Sequence, residues 1–326
     1  MTSSTLTDGP ANSWPARLHV VSGKGGVGKT SVAAALALAL ADQGRRTLLV
    51  EVEGRQGIAQ LFGLPPLPYE ERLVATVPGG GEVRALAVDP EEALLEYLAL
   101  FYKLGAAGRA LRKVGAIDFA TTIAPGLRDV LLTGKVKEAT TRTDERGRRV
   151  YHAVVLDAPP TGRIGRFLNV TAEAAKLAKM GPIKNQSEGV AALLRSPMTS
   201  VHLVTLLEEM PVQETVDAVA ELKGLGIAVG KVIVNRAQPQ LLEGSRRITL
   251  ADIRRGLVAA GLPADKPTVA GLQVEATAYL ARRSIEQELG AELAEVGRPL
   301  VELPLLPGGI GRDTLTDLAS LLRAAP

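Results

Sequence analysis

Cysteine is absent from this 326-residue chain. Its absence excludes disulfides, thiolate metal sites and cysteine nucleophiles, and it fits a reducing compartment, so a cytoplasmic protein is expected. Methionine is scarce, with four in the whole chain. Grooves that adapt to varied apolar partners tend to use that flexible side chain, so leucine and alanine would have to line one here. Long hydrophobic runs are missing too. The apolar run 32–41 is too short to cross a bilayer and is flanked by Lys29 and Asp42, so a buried helix is expected there and no membrane-spanning segment anywhere. Residues 1–17 are polar, carry Gly9, Pro10 and Pro15, and lack the apolar centre of a secretory signal. Residues 1–16 read as a disordered tail. Neither sign of charge dominates: the formal net charge is +3, too mild a surplus to argue for nucleic acid as a partner. A hydrophobic content of 46% with 22% charged residues is that of a globular protein.

What the chain does carry is a glycine-rich stretch, Ser22-Gly-Lys-Gly-Gly-Val-Gly-Lys-Thr-Ser31. An apolar strand at 18–21 leads into it and the run 32–41 leads out. Strand, glycine loop and helix together make a phosphate-binding loop, because backbone N–H groups of the loop and of the helix N-terminus converge on an anion. Gly23, Gly28, Lys29 and Thr30 satisfy the P-loop spacing G-x-x-x-x-G-K-[ST]. Gly25, Gly26 and Gly28 let the backbone close around a polyphosphate, and Lys24, Val27 and Ser31 complete the cradle. Lys29 would bring charge to the β/γ-phosphates, and the Thr30 hydroxyl would ligate Mg²⁺.

Downstream, strands are read at 46–52, 83–89, 148–157, 200–207, 229–235 and 299–303. Helices are expected at 163–180, 186–195, 211–224, 250–260, 272–295 and 315–323. Between 91 and 142 apolar residues recur at helical spacing with few strand signals, which predicts a helical subdomain inserted into the sheet, with a second part at about 170–198. The alternation of strands and helices predicts an α/β fold over 17–326: a doubly wound, mostly parallel sheet with its ligand site at the strands' carboxyl ends. Asp157 ends one strand and precedes Ala158-Pro-Pro-Thr-Gly162. Alone it would read as a turn former or cap; with a P-loop upstream, the metal role of a Walker B acid is favoured, holding water around Mg²⁺. Asn235 ends another strand, and its amide offers the donor and acceptor that complement the adenine N6/N7 edge.

Lys24 makes the loop read K-G-G-x-G-K-[ST], which resembles the deviant Walker A motif of the MinD, ParA and ArsA class of ATPases. In that class the first lysine contacts phosphates bound by the partner subunit of a nucleotide-sandwiched dimer. Other stretches are similar to the ArsA family in particular, whose members include arsenite-pump ATPases and the guided-entry ATPases that deliver tail-anchored membrane proteins. Leu156-Asp-Ala-Pro-Pro-Thr-Gly-Arg163 resembles the family's switch II. Val232-Ile-Val-Asn235 resembles the strand whose asparagine reads adenine, Thr122-Ile-Ala-Pro-Gly126 the loop opening a family helix, and Leu303 to Gly309 a second adenine-flanking loop.

The resemblance implies a P-loop NTPase fold, ATP and Mg²⁺ as cofactors, and catalysis by Lys24, Lys29, Glu53 and Asp157. It also implies a homodimer or a heterodimer with a paralog, acting on a hydrophobic or protein client. Two positions depart from the family. Glu53 stands where switch I has an aspartate that places the attacking water, and Arg163 stands where switch II has a histidine. Arsenite binding by thiolates and a CxxC zinc clamp are both excluded by the missing cysteines. The departures keep a second reading open, a weakly hydrolysing regulatory subunit that pairs with a paralog. A positioning ATPase on DNA or membrane would need a basic stripe or anchor that the C-terminal segment lacks.

Overall fold

Six consecutive buried residues make β1 (Leu18–Gly23) an inner strand, with a parallel neighbour on each side. The computed structural model describes residues 13–102, 125–169, 182–242 and 248–325. The remaining strands are β2 (Arg46–Glu51), β3 (Arg72–Val77), β4 (Gly81–Ala87), β5 (Ala153–Asp157), β6 (Thr199–Thr205), β7 (Val229–Ala237) and β8 (Leu300–Pro304). They form one sheet in the order β3-β4-β2-β5-β1-β6-β7-β8. Only the β3–β4 edge pair is antiparallel. The fold is thus the expected α/β, mostly parallel arrangement of a P-loop NTPase.

Parallel strands buried on both faces need helices on both faces. Alternate residues point opposite ways along a strand, and the strands here are apolar in both registers. Val20, Leu48, Val50, Val154 and Leu156 form one core with α3 (Pro90–Tyr102), α4 (Pro125–Thr141), α5 (Thr161–Leu168), α6 (Pro182–Leu194) and α7 (Glu209–Gly224). Val21, Leu49, Val155 and Ile233 form another with α1 (Lys29–Leu40) and α10 (Arg312–Ala324). Every residue of α1 from Val32 to Leu40 is buried. Its alanines allow close approach to the sheet on one side and to Leu315, Leu318 and Leu322 of α10 on the other. Each fully buried Leu or Val there contributes about 1.5–3 kcal/mol relative to exposure. The other helices among the described residues are α2 (Gly57–Leu61), α8 (Leu250–Ala259) and α9 (Lys266–Glu295). Among the described residues no helix is long and apolar enough to cross a membrane.

Several expectations need correction. β3 was not anticipated. It pairs back onto β4 through a turn in which Gly79 and Gly80 adopt φ of 92° and 84°, a conformation glycine reaches without a Cβ penalty. Residues 148–152 do not extend β5; an isolated antiparallel bridge joins Arg149 to Thr143 instead. α9 begins earlier than expected, with Asp265 accepting from the Thr268 N–H at 3.0 Å as a cap. The helix foreseen over 163–180 is α5, which ends at Leu168, and 170–181 lie outside the described residues. So do 103–124 of the foreseen helical insert, with the stretch 122–124 read as a family loop, and 1–12 of the expected tail. Trp14 and Ala16, within that expected tail, are buried in the fold.

Trp14 closes the end of the sheet opposite the glycine loop. Its Nε1–H donates to the Leu322 carbonyl at 2.9 Å, and its ring meets His202 edge-on at 4.9 Å. His202 and His19 are fully buried and 3.1 Å apart at Nε2 and Nδ1. One assignment satisfies every group. The Lys231 N–H donates to His202 Nδ1, His202 Nε2–H donates to His19 Nδ1, and His19 Nε2–H donates to the Ala16 carbonyl. Both rings are then neutral. Burial pushes His19 down to about 4 and His202 well below its ordinary value.

Candidate functional site: a phosphate loop at the carboxyl edge of the sheet

The glycine loop leaves the end of β1 and turns into α1 through Gly28, which has φ of 92° and caps the helix. A Cβ on Gly28 would strike the Asn235 side chain, and one on Gly23 would strike the Val204 carbonyl of β6. These two positions require glycine because other parts of the site press against them. Lys29 is the first residue of α1 and is largely buried, its Nζ donating to the Lys24 carbonyl at 3.3 Å. Burial lowers its pKa, and the Asp157 and Glu53 carboxylates oppose that shift. A helix N-terminus with a half-desolvated ammonium beside it attracts polyphosphate. Gly25 and Gly26 stay exposed at the rim, while Val27 is buried beneath it.

Thr30, the second residue of α1, donates its Oγ1–H to Asp157 Oδ2 at 2.7 Å. The parallel register of β1 and β5 delivers that contact, with Val21 opposite Asp157. The other oxygen, Asp157 Oδ1, is buried and has no hydrogen-bond partner. Burial lifts the Asp157 carboxyl to about 6, against the Thr30 hydrogen bond and the nearby Lys29 ammonium, and the Glu51 and Glu53 carboxylates add to that rise. One hydroxyl and one carboxylate suit Mg²⁺, which keeps several waters and takes phosphate oxygens as further ligands. Among the described residues no cluster of three His, Asp or Glu side chains could hold a metal without such help. Beside Asp157 on β2 lies Glu51, also buried, which accepts from the Gly57 and Ile58 N–H groups at 3.3 and 3.2 Å. Sequence reading passed over Glu51, although a glutamate inside the apolar strand 46–52 was a visible signal.

Two departures from the family motifs meet in space. Arg163 Nη1 lies 3.7 Å from Glu53 Oε1, and Arg55 Nη2 lies 3.7 Å from Glu53 Oε2. The segment carrying Glu53 follows β2, yet β5 sits between β2 and β1. The loop still reaches the phosphate side, because a Cβ on Gly57 would touch the Thr30 methyl. Lys24 projects the other way. It pairs with Glu214 on α7, and the second oxygen of Glu214 accepts from Thr161 Oγ1 at 2.6 Å. Those two bonds hold the Glu214 carboxyl below its ordinary range. Glu214 lies 190 residues from Lys24, and nothing in a linear reading could have joined them. Ser31 follows Thr30 on α1, partly exposed.

Asn235 ends the buried part of β7. Its Nδ2–H donates to the Val27 carbonyl at 2.8 Å, and its Oδ1 accepts from the Arg236 N–H at 3.0 Å. A cavity of about 1010 Å³ opens beside it, walled by Leu206, Leu207, Leu289 and Leu305 among others. Leu305 belongs to the stretch expected to flank a base. The structure therefore brings together Gly23, Lys29, Thr30 and Asp157 at one centre, with Glu53 and Asn235 on its two sides.

A parallel sheet with a glycine loop, a lysine and a strand-end aspartate at its carboxyl edge defines a P-loop NTPase. The profile of the ArsA family, described as anion-transporting ATPase, matches residues 16–196 and 171–246, and the chain belongs to that family. ATPase BagA of Mycobacterium tuberculosis is 51% identical over 334 residues, covering 99% of this chain and 98% of that protein. The arsenical pump-driving ATPase of Escherichia coli is 28% identical over 278 residues, covering 78% of this chain and 44% of that protein. ATPase GET3 of Kluyveromyces lactis is 26% identical over 250 residues, covering 66% and 70%.

Proposed function

We propose that the chain is a Mg²⁺-dependent ATPase that works in the cytoplasm as a nucleotide-gated dimer, a homodimer or a heterodimer with a paralog. The observation carrying this reading is the Thr30–Asp157 bond at 2.7 Å beside Lys29, with Asp157 Oδ1 buried and unpartnered. Thr30 and Asp157 would hold the ion, which neutralises charge on the β- and γ-phosphates when bound. Gly23 to Ser31 bind the phosphates through backbone N–H groups, and Lys29 adds its ammonium. Glu53 orients water toward the γ-phosphorus; a bond forms from that oxygen, the bond to the β-bridging oxygen breaks, and ADP and phosphate leave. Lys24 releases Glu214 and reaches the partner's nucleotide as the dimer closes. Asn235 exchanges its Val27 contact for the adenine edge. Closure and hydrolysis move the helical layer α3, α4 and α6, which takes a hydrophobic segment or a protein as client.

The regulatory-subunit reading is favoured by one feature: Glu53 faces two guanidinium groups, at 3.7 Å each, which compete with water for its oxygens. Single-turnover hydrolysis in wild type, Glu53→Gln and Glu53→Asp, each saturated with Mg-ATP and with its dimer partner present, tests the two. Glu53→Gln should abolish turnover with ATP affinity intact, and Glu53→Asp should retain or raise it. Equal rates in wild type and Glu53→Gln remove Glu53 from the chemistry. Inactivity of all three with normal ATP binding establishes the regulatory reading.

A further inference from the structure

Gln56 has φ of 56°, in the left-handed region that residues with a Cβ seldom enter. Such a conformation persists where surrounding contacts over-determine it. Here the contacts are at the side-chain amide. Nε2–H donates to the Leu67 carbonyl at 3.1 Å, and Oε1 accepts from the Leu67 N–H at 2.7 Å. Both ends of one amide are spent on both backbone groups of a single residue, as if Leu67 were the next strand. Three positions before Gln56 stands Glu53. The two arginines facing Glu53 are more than half exposed and 3.7 Å away, and pairs of that kind hold geometry weakly. Just after Gln56, the Gly57 and Ile58 N–H groups sit on the buried Glu51 carboxylate. The loop bearing Glu53 is therefore fixed at its far end by the Gln56 clamp and by Glu51.

The strap that Gln56 grips faces two cavities. Gln56, Leu67 and Tyr69 line one of about 870 Å³, together with Arg163 of α5. Tyr69 also lines a second, of about 520 Å³, against α3 and α4. At that second cavity its hydroxyl donates to Glu96 of α3 at 2.6 Å, and Glu96 accepts from Lys135 of α4 at 2.8 Å. Residues 67–69 are thus a wall common to the loop of Glu53 and to the helical layer.

We propose that Gln56 is a positioning residue for hydrolysis: its clamp on Leu67 sets where Glu53 stands, and displacement of that loop passes through Leu67 and Tyr69 to Glu96 and Lys135. The inference rests on the reading above, in which Glu53 places the attacking water. Gln56→Gly accepts the left-handed turn without strain while deleting the clamp, so it separates side chain from backbone. Three measurements apply: hydrogen exchange at the Leu67 amide in the nucleotide-free protein, ATP affinity by calorimetry, and single-turnover rate. The amide should exchange about five- to tenfold faster, the loss of one hydrogen bond. ATP affinity should stay unchanged, and turnover should fall about ten- to a hundredfold, the scale of a misplaced reacting group. A Leu67 amide that stays protected overturns the clamp. A released amide with unchanged turnover, or with ATP affinity falling in step with turnover, overturns the positioning role. Absence of turnover in wild type itself fails the hydrolysis reading and this role together, whereas the other results fail this role alone.

Discussion

The buried histidine pair at the sheet's far end gives the protein an acid sensitivity that can be worked out beforehand. Unfolded, His19 titrates at 6.5; folded, burial holds it at about 4. A base whose folded value is depressed contributes stability that is complete above the unfolded value. That contribution is lost as pH falls from 6.5 to 4, because the unfolded chain takes up the proton first. The whole displacement corresponds to about 3 kcal/mol, and the part lost between about pH 7 and pH 5 is about 2 kcal/mol. The groups facing His19 do not soften this: His202 is neutral and depressed in the same sense, and His152 lowers His19 further. Asp157, lifted to about 6, acts in the opposite sense, since protonation relieves its burial.

A difference measurement removes that opposing contribution. His19→Asn keeps an oxygen to accept from His202 and does not titrate. Urea unfolding of both proteins can be followed by the fluorescence of Trp14, the one tryptophan in the chain, whose ring lies against His202. At neutral pH the variant should be less stable, having lost the bond to Ala16. On acidification to about pH 5 the gap should narrow by about 2 kcal/mol. A gap that stays constant between the two pH values refutes the neutral, buried pair.

At the proposed nucleotide site, Lys29→Ala should weaken ATP binding by about 1.5–3 kcal/mol, the scale of a charged hydrogen bond, and unchanged affinity by calorimetry would contradict the phosphate loop. Lys24→Ala should bind ATP normally yet lose hydrolysis and ATP-dependent dimerisation; native mass measurement with a trapped ATP analogue, with any co-purifying paralog identified, checks this. Gly28→Ala must displace the Asn235 amide and place a Cβ at a left-handed position, so it should lower stability by about 1–3 kcal/mol. Thermal unfolding of the free protein reads that loss, and a melting temperature equal to wild type would show the Gly28–Asn235 contact to be slack.

Local chemistry was legible in the sequence and distant pairing was not. The glycine loop, its lysine and its threonine sit within eight residues of one another, and their backbone requirements are written into glycine itself. Asp157 could be placed because an apolar run ending in a carboxylate and a turn has one orientation in a parallel sheet. The edge strand β3 went unseen because it is short and clearly buried only at the adjacent Val74 and Ala75, with a register shift between Leu73 and Ala75, so no alternation marks it in the sequence. Trp14 escaped notice since it packs against α10, at the other end of the chain, and donates to its Leu322 carbonyl. Glu214, Thr161 and Gln56 were missed for the same reason: each acts through a polar contact closed by tertiary structure. Glu53 and Arg163 were each marked as a departure, but only the fold makes them one feature, a carboxylate facing a guanidinium across the site.

Helix α1 is clad in hydrocarbon on all sides, and this sorts the site into two mechanical materials. Apolar burial has no direction and no single weak point, so the phosphate loop, anchored by α1, β1 and β5, is a fixed anvil. Around it, Lys24, Glu53, Gln56, Arg163 and Asn235 are each held by one or two polar contacts, individually worth about 1 kcal/mol. Phosphate, water or an adenine edge can replace such contacts like for like, with little change in energy. On the reading proposed above, nucleotide binding would leave the phosphate loop in place while the rim exchanges partners, and the hydrocarbon beneath gives those small exchanges something rigid to push against.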